Sequence, residues 1–318
     1  MEENRILVLG SISMGISMRI GHIPALWESV QASSALYETD GKASRVASAA
    51  ARLGAGVSII GKVGQDSFGD SIRSSLSSSG VDIRHVAAVP DKTGLIILLR
   101  TESRETSLVH DPGANLSYEE GEIARLEPFF AQHRILIVSN SIPLFSLREA
   151  LQIAKKHRLL VMLDPSPASE LPDDIYPLVD VLLPGEQDIK HLSHTEYIDL
   201  SASRLALSRY LELGVGKAAI LKIGMDGVLI ATNNEFIGLG TSDMTNEIDR
   251  RGDKAVFVAA MASAFAQHKN LYQAAVYARA AAQLSELQSG IRVTLPTSEA
   301  LQAYLNENPL FKEIDLDR

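Results

Sequence analysis

The feature that most constrains the fold of this chain is a regular alternation of short apolar runs with helical patterns from residue 135 onward. Leucine-rich and β-branched runs occupy residues 135–138, 160–163, 181–183 and 219–223. Runs of this length between turn residues are typical of buried strands. Strands that alternate with helices predict the α/β class, with a mostly parallel sheet flanked by helices on both faces.

The same criteria place further elements along the chain. In the first half they predict strands over residues 5–9 and 57–62. A capping-box pattern that begins at Ser117 predicts a helix that reaches Phe130. Residues 227–231 are predicted to pair with the strand at 219–223 across a turn. The remaining helices are predicted over residues 42–53, 67–79, 146–157, 173–178, 202–213, 254–267 and 272–287.

Two segments break this alternation. Residues 13–37 lack a long helical period, and residues 93–109 have the pattern of a hairpin around residues 102–105. Both segments are predicted to contribute to a small separate β-sheet. No repeat, low-complexity tail or interdomain linker divides the sequence, so residues 1–318 are predicted to form a single domain with this sheet as a subdomain.

Composition argues against several classes of partner and site. The 318 residues are 46% hydrophobic, and a net charge of −9 with no long basic run argues against nucleic acid as a main partner. The absence of cysteine excludes disulfides and thiolate chemistry. The acidic N-terminus lacks the basic flank of a signal peptide, and the apolar run 255–266 is shorter than the roughly 20 residues that cross a bilayer. We therefore expect a cytoplasmic protein without a membrane partner.

The most informative polar stretch is residues 246–253, which ends in Gly252 and Asp253 and precedes the apolar run. A polar turn before a buried helix directs the free N–H groups of the helix N-terminus at whatever lies in front of it. Asp253 has two interpretations: a plain N-cap, or a general base that takes a proton from a hydroxyl attacking phosphorus. The pattern alone leaves both open.

Other familiar patterns carry less information. Residues 56–62 have the spacing of a phosphate-binding P-loop, but Val63 follows in place of the required hydroxyl. Residues 10–15 follow the first strand without the glycine spacing of a dinucleotide fingerprint. His191 and His194 are interpreted as a surface pair, because no carboxylate lies near them at metal-ligand spacing.

Glu186 and Asp188 begin a helix after the strand at 181–183. Carboxylates in a first helical turn are commonly partners of the helix dipole. They also suit Mg²⁺, which prefers oxygen ligands and keeps much of its hydration shell. On the local pattern alone, the first interpretation is favoured.

Taken together and in order, these segments resemble the ribokinase family, the phosphofructokinase-B group of sugar and nucleoside kinases. Residues 40–45 and the helix after them resemble the first family signature, and Gly252-Asp253 aligns with the end of the second. Further similar segments lie at residues 8–12, 61–69, 112–115, 164–168, 183–186 and 222–227. The resemblance implies a ribokinase-like fold: a Rossmann-like α/β domain with a small β lid, here from about 13–37 and 93–109.

The resemblance also implies an activity and a set of site residues. Members transfer the γ-phosphoryl group of ATP to a sugar hydroxyl, with Mg²⁺ and often a monovalent cation, and many form homodimers through the lid. The catalytic group would be Asp253 as base, with Gly252 and Arg251 at the phosphate. The cofactor-binding positions would be Lys222, Gly224 and Gly227, with Glu186 and Asp188 orienting Mg²⁺-bound water and no protein group as a direct metal ligand. The substrate positions would be Gly15, Gly41, Lys42, Arg45 and Ser141.

Several of these positions depart from the family pattern. Gly15 stands where the family has a sugar-binding aspartate, and Arg45 where it has an asparagine. Small residues normally let phosphate approach the backbone N–H groups of an anion hole, and arginines add bulk there. The remaining departures are Asp40 for glycine, Ser141 for glutamate, Gly185 for asparagine, and Arg250 and Arg251 for the small anion-hole residues.

Three hypotheses follow. The first is an ATP-dependent carbohydrate kinase for a sugar or sugar-like acceptor other than ribose, because Gly15 removes a hydrogen-bond acceptor and Arg45 adds a cation. The second is a catalytically impaired member, a pseudokinase that binds a small molecule or a protein. The third, a nucleotide-dependent oxidoreductase, is disfavoured by the missing dinucleotide fingerprint.

Overall fold

The computed structural model describes residues 5–103, 105–167, 171–193, 200–223, 227–240, 251–288 and 294–308, without the side chains of residues 191–193, 251–253 and 288. Its strands are β1 (Ile6–Leu9), β2 (Ser13–Ile20), β3 (Ser34–Asp40), β4 (Val57–Gly64), β5 (Asp82–Val89), β6 (Gly94–Thr101), β7 (Thr106–Asp111), β8 (Ile135–Ser139), β9 (Leu160–Asp164), β10 (Val181–Leu182), β11 (Ala218–Ile223), β12 (Gly227–Ala231) and β13 (Phe236–Leu239). Its α-helices are α1 (Lys42–Arg52), α2 (Ser67–Ser78), α3 (Glu127–Phe130), α4 (Leu144–Lys156), α5 (Glu186–Ser193), α6 (Leu200–Glu212), α7 (Arg251–Ala266), α8 (Leu271–Gln288) and α9 (Ser298–Glu307).

The larger sheet determines where a ligand can bind. Its strand order is β13-β12-β11-β10-β9-β8-β1-β4-β5, and the pairings from β11 to β5 are parallel. Strands β12 and β13 extend it in antiparallel fashion. The order reverses at β1, which pairs with β4 on one side and β8 on the other. A crevice outside the carboxyl ends of the strands at such a reversal is the usual ligand site of an open α/β sheet.

The core lies on both faces of this sheet, as the alternation in the sequence predicts. In β1, Ile6 and Val8 pack into one hydrophobic cluster, and Leu7 and Leu9 into the other. Successive strand residues point to opposite faces, so a strand buried on both sides needs an unbroken apolar run. The four residues of β1 are at most 1% exposed, and β1 is therefore the centre of the fold.

The apolar run 255–266 lies within α7, a buried helix. Its residues from Val256 to Ala262 are at most 2% exposed, and the helix packs against α8 and α1. Small side chains let helices approach closely, which explains the alanine content of this layer. Among the helices of the described residues, none has both the length and the apolar character that membrane crossing requires.

A second sheet of four strands has the order β3-β2-β6-β7. Strands β2 and β6 pair in parallel, whereas β3 and β7 pair with them in antiparallel fashion. These strands come from the two segments that break the α/β alternation of the sequence. The division of the chain into a domain and a lid remains a prediction.

Asn115 joins the two sheets at the point where they separate. Its Oδ1 accepts the backbone N–H of Ile12 at 2.7 Å, and its Nδ2 donates to the carbonyls of Ile12 at 3.0 Å and Pro112 at 2.8 Å. The side chain is 1% exposed and also lies 3.3 Å from Ser13 Oγ, so it links the turn between β1 and β2 and the start of β2 to Pro112, the residue after β7. One amide thereby satisfies several buried backbone groups.

The structure corrects several sequence predictions. The helix predicted from Ser117 to Phe130 is not continuous: a 3₁₀ turn at Ala124–Leu126 leads only into the short α3. The hydroxyl of Ser117, the predicted cap, donates instead to Asp91 Oδ2 at 2.6 Å, and Glu122 forms an ion pair with Lys62 of β4 at 2.7 Å. Residues 173–178 form a 3₁₀ helix around Pro177. Strands β5 and β13 and helix α9 were not predicted, since each is short or half-exposed.

We predict that Asn115→Ala lowers the free energy of unfolding by about 2–4 kcal/mol, because it leaves several buried polar groups without partners. Chemical denaturation monitored by circular dichroism measures the change. Asn234→Ala, at an exposed turn, is the matched control and should shift stability by less than about 0.5 kcal/mol. Equal effects of the two substitutions would contradict the role of Asn115.

Candidate active site

The sequence-predicted site residues that are described collect along the carboxyl ends of β1, β8, β9, β10 and β11. At the end of β1, the backbone N–H of Ser11 donates to Ser141 Oγ at 2.9 Å, and Ser139 Oγ lies 2.7 Å from the same oxygen. Ser11 Oγ accepts the backbone N–H of Lys42 at 3.0 Å, so the start of α1 is attached to this turn. Ser141 therefore fixes the turn after β1 and is half-buried beside the crevice.

Gly41 directs α1 into the crevice. Its φ of 100° is in the left-handed region, and an added Cβ would lie 2.5 Å from the carbonyl oxygen of Ser11. Glycine meets both conditions without strain. The turn places Lys42 and Arg45 at the start of α1, with both side chains reaching other elements of the site.

A carboxylate lies above Gly15 although the sequence has none at that position. An added Cβ at Gly15 would lie 2.8 Å from Asp40 Cβ and 3.0 Å from Asp40 Oδ2. The Asp40 side chain on β3 thus fills the space that a side chain on β2 would occupy. Its Oδ1 accepts the Gly41 N–H at 2.7 Å and pairs with Arg45 Nη1 at 3.1 Å. The acceptor that Gly15 removes is therefore restored from the neighbouring strand.

Asp164, the last residue of β9, is held between two lysines. Lys42 Nζ lies 2.8 Å from Oδ2, and Lys254 Nζ lies 2.8 Å from Oδ1. Burial alone would raise the pKa of this carboxyl, but the ammonium groups of Lys254 and Lys42 outweigh burial and hold the pKa well below its ordinary value. Asp164 is therefore ionised at neutral pH and joins α1, β9 and α7.

The polar network continues to the start of α5. Ser166 Oγ donates to Asp188 Oδ2 at 2.6 Å and lies 3.3 Å from Lys254 Nζ. The backbone N–H of Gly185 donates to the same Asp188 oxygen at 2.6 Å. We call the connected side chains Lys42, Asp164, Ser166, Asp188 and Lys254 the lysine–aspartate cluster.

The cluster also locates the N-terminus of α7. Lys254 is the fourth residue of this helix, and its side chain reaches the ends of β9 and the loop after it. The backbone of Gly252 and Asp253 belongs to the same first turn. The side chains of Arg251 and Asp253, and the whole of Arg250, lie outside the described part of the structure. The direction of the two arginines and the role of Asp253 remain predictions.

The positions predicted to bind the nucleotide begin with Lys222 near the end of β11. Lys222 Nζ lies 3.3 Å from Glu286 Oε1 of α8, and both side chains are less than 10% exposed. Gly227 lies at the turn into β12, where an added Cβ would lie 2.9 Å from the Ile223 carbonyl oxygen. Gly224 lies outside the described residues. The cofactor-binding roles of these residues stay predictions.

A resident Mg²⁺ does not fit the described donors. Both oxygens of Asp164 already bind ammonium groups, and the Asp188 Oδ2 accepts two hydrogen bonds. Glu186, half-buried at the first residue of α5, has an interaction of its own. Within the part of the chain that the structure describes, no group of three or more acidic or imidazole side chains is placed to hold a metal ion. These contacts concern direct metal ligation alone, and the predicted role of Glu186 and Asp188 in orienting Mg²⁺-bound water stays a prediction.

Sequence analysis did not assign roles to three side chains of this site. The sequence shows Asp40 only as a departure from the glycine of the family pattern. Its approach to Gly15 depends on the antiparallel pairing of β3 with β2, which the sequence does not show. Asp164 carried a signal, because a carboxylate directly after a buried strand lies at the ligand-binding edge of a parallel sheet. Lys254 carried another, as the one charged residue between Asp253 and the apolar stretch of α7.

The fold and the site define a ribokinase-like α/β protein. The structure of Arabidopsis thaliana ribokinase complexed with ribose and ATP has a TM-score of 0.85 at 22% identity, over 96% of this chain and 100% of that one. At this identity the likeness shows the fold alone. Ribokinase from Haemophilus influenzae is 28% identical over 300 residues, which cover 94% of this chain and 97% of that protein.

A further relative, deoxyribokinase from Salmonella typhimurium, is 24% identical over 305 residues, or 95% of this chain and 99% of that protein. The model of the pfkB family carbohydrate kinases matches residues 4–298. The chain belongs to this family of carbohydrate kinases, which confirms the resemblance inferred from the motifs.

We predict that Asp164→Asn destabilises the protein by about 1–3 kcal/mol, since it removes the partner of two partly solvent-exposed lysines. The wild-type carboxyl has a lowered pKa, so its contribution is present above its ordinary pKa and is lost as the pH falls. The difference between wild type and variant should therefore shrink below roughly pH 4.

Thermal unfolding of both proteins between pH 3 and about 8 measures this dependence. Asp174→Asn is the matched control, because Asp174 forms an exposed ion pair with Arg148. It should give no resolvable change in stability. A difference for Asp164→Asn that does not vary with pH would contradict the assignment of an ionised carboxylate.

Proposed function

We propose that this protein transfers the γ-phosphoryl group of ATP to a hydroxyl of a sugar or sugar-like acceptor other than ribose. Membership of the carbohydrate kinase family supports the reaction class. The observation that carries the choice of acceptor is the Asp40–Arg45 pair above Gly15. It supplies a carboxylate from a different strand and adds a guanidinium beside it.

The pair suits an acceptor with a particular arrangement of groups. Asp40 Oδ2 lies above Gly15 and can accept a hydrogen bond from a hydroxyl, while the guanidinium of Arg45 donates to a carbonyl, hydroxyl or anionic oxygen. Charge-assisted hydrogen bonds of this kind are stronger than those between neutral groups. The asparagine that the family has at this position is uncharged, whereas Arg45 carries a positive charge. The acceptor should therefore carry a strongly accepting oxygen near Arg45.

In the proposed reaction, Asp253 takes the proton of the acceptor hydroxyl as that oxygen forms a bond to the γ-phosphorus. The bond between the γ-phosphorus and the bridging oxygen breaks, and ADP leaves with the electron pair. The N–H groups at the start of α7 and the cations of Lys42 and Lys254 would stabilise the charge on the phosphoryl oxygens. The backbone position of α7 supports this arrangement.

The relatives support a sugar-type acceptor without fixing its identity. One is a ribokinase and another a deoxyribokinase, at similar identity to this chain. The structure of the A. thaliana ribokinase contains ribose and ATP, which supports ATP as the phosphoryl donor here. Mg²⁺ and a monovalent cation remain proposals from the family, as does a cytoplasmic location.

A homodimer through the smaller sheet is also a proposal. Tyr37 of β3 and Val109 of β7 are exposed apolar side chains in one cross-strand row with Ile16 and Ile97, on the same face of this sheet. The run from Leu95 to Leu99 in β6 is largely half-buried rather than buried. An apolar sheet face of this kind supports association with a second copy.

One observation favours the alternative of a catalytically impaired member that binds a small molecule or a protein. In the lysine–aspartate cluster, the side chains of Lys42 and Lys254 occupy the space around Asp164 at the end of β9. If this arrangement prevents productive binding of the nucleotide, the protein would bind an acceptor-like ligand without transfer.

A panel of neutral sugars, sugar acids and sugar phosphates in an ADP-release assay tests the proposed reaction. We predict turnover of at least one acceptor other than ribose, and a loss of about 10²–10⁴-fold in kcat for Asp253→Asn, which removes the base. Asp70→Asn, on the exposed side of α2, is the control and should leave kcat unchanged. Efficient turnover of ribose would defeat the acceptor proposal. Binding of ATP without transfer to any acceptor would favour the impaired alternative.

A carboxylate exchange between strands tests the role of Asp40. Asp40→Gly should lower kcat/KM for the acceptor about 10–100-fold while the KM for ATP is unchanged, since one charge-assisted hydrogen bond is lost. Adding Gly15→Asp should restore part of the loss, because the removal of the Asp40 side chain clears the space at residue 15. Gly15→Asn in the same background is the matched control without the charge. Equal rescue by both would show that the negative charge of the side chain is not needed.

A further inference from the structure

The ammonium group of Lys254 lies in the middle of the acidic groups at the ends of β9 and β10. Its Nζ is 2.8 Å from Asp164 Oδ1 and 3.3 Å from Ser166 Oγ, and Ser166 Oγ is 2.6 Å from Asp188 Oδ2. The side chain comes from the first turn of α7, so it reaches this position from the helix that is proposed to face the phosphates. Lys254 is 25% exposed and remains accessible from the crevice.

Gly185 makes room for this ammonium. An added Cβ at residue 185 would lie 3.5 Å from Lys254 Nζ and 3.3 Å from Asp188 Oδ2. A longer polar side chain there would compete for the same space and for the same carboxylate. Glycine at residue 185 and lysine at residue 254 are therefore complementary.

The charges of the cluster are already balanced. Lys42 and Lys254 supply two positive charges, and Asp164 and Asp188 supply two negative charges. A divalent cation would need free oxygen lone pairs at about 2.0–2.1 Å and would lie close to two ammonium groups. The lone pairs of Asp164 that it would use already accept hydrogen bonds from lysine.

We infer that the Lys254 ammonium fills the space beside Asp164 and Asp188 in which a divalent cation could otherwise bind, so that these carboxylates hold no metal ion beside the phosphates. This inference rests on the proposed nucleotide binding and makes it more specific. Lys254 and Lys42 meet the negative charge of the phosphates directly, and removal of Lys254 exposes a carboxylate that attracts a divalent cation. The protein should therefore bind nucleotide with little dependence on Mg²⁺.

Divalent-metal binding without nucleotide gives the first test. Binding of Mn²⁺ is followed by the electron paramagnetic resonance signal of the free ion, for wild type, Lys254→Thr and Lys254→Gln. We expect both variants to bind Mn²⁺ at least about tenfold more tightly than wild type, because each uncovers Asp164 Oδ1. Lys217→Thr is the control, since this exposed lysine lies at the amino end of β11 on the far side of the sheet. Equal Mn²⁺ affinity of wild type and both folded variants would overturn the inference.

Nucleotide binding gives the second test. Titration calorimetry with a non-hydrolysable ATP analogue is carried out in excess EDTA and in excess Mg²⁺. Wild-type affinity should differ by less than about threefold between the two conditions, whereas Lys254→Thr should lose about tenfold or more in EDTA and recover with Mg²⁺. A wild-type protein that binds the analogue only with Mg²⁺ would overturn the inference and leave the proposed kinase function intact. Absence of analogue binding in every condition would instead defeat the proposed function, while the Mn²⁺ comparison would still test Lys254.

Discussion

The rest of the site depends on the carboxylate of Asp164 and its two ammonium partners. Asp164 ends β9, Lys42 begins α1 and Lys254 belongs to the first turn of α7. Three elements that are far apart in the chain thus converge on one side chain at the carboxyl edge of the parallel sheet. Because an ionised carboxylate removed from water needs partners, the position of each lysine is determined by the same interaction that keeps the carboxylate charged.

The smaller sheet shows that a chemical group can keep its place when its position in the sequence changes. Gly15 and Asp40 lie on neighbouring antiparallel strands, and a side chain from either can fill the same volume. A comparison of motifs position by position therefore counts Gly15 and Asp40 as two separate departures from the family pattern. In the structure the two are linked, because the Asp40 carboxylate lies where a side chain at residue 15 would be. The charge that Arg45 adds is partly balanced by Asp40, so the pocket is less cationic than the sequence suggests.

Much of the architecture could be predicted from the sequence because it depends on local patterns. The strands β1, β4, β8, β9 and β11 are apolar runs buried on both faces, and α1, α4, α7 and α8 have clear helical patterns. Strand β5 was missed because it lies at the edge of the sheet and most of its residues are exposed or half-buried. The prediction of a helix from Ser117 was wrong because the hydroxyl of Ser117 donates to Asp91, a contact between distant segments that competes with the local capping pattern.

The site was less predictable than the fold, for a physical reason. Residue types and spacing identify which loops reach the carboxyl edge of the sheet, and Gly41, Lys42, Arg45, Ser141 and Asp188 do lie there. They do not identify which carboxylate each lysine contacts. That choice depends on distances between elements separated by more than 80 residues, as with Lys254 and Asp164.

The hydrogen bonds of Asn115 determine the point about which the smaller sheet could move. Its contacts with Ile12, Ser13 and Pro112 join the start of β2 and the end of β7 to the turn after β1. A swinging motion of the smaller sheet would therefore pivot near this amide, and displacement would grow with distance along the strands. The loop between β2 and β3, which carries the solvent-facing Trp27, lies at the free end of that lever. Any such motion would therefore displace this single tryptophan further than the residues beside Asn115.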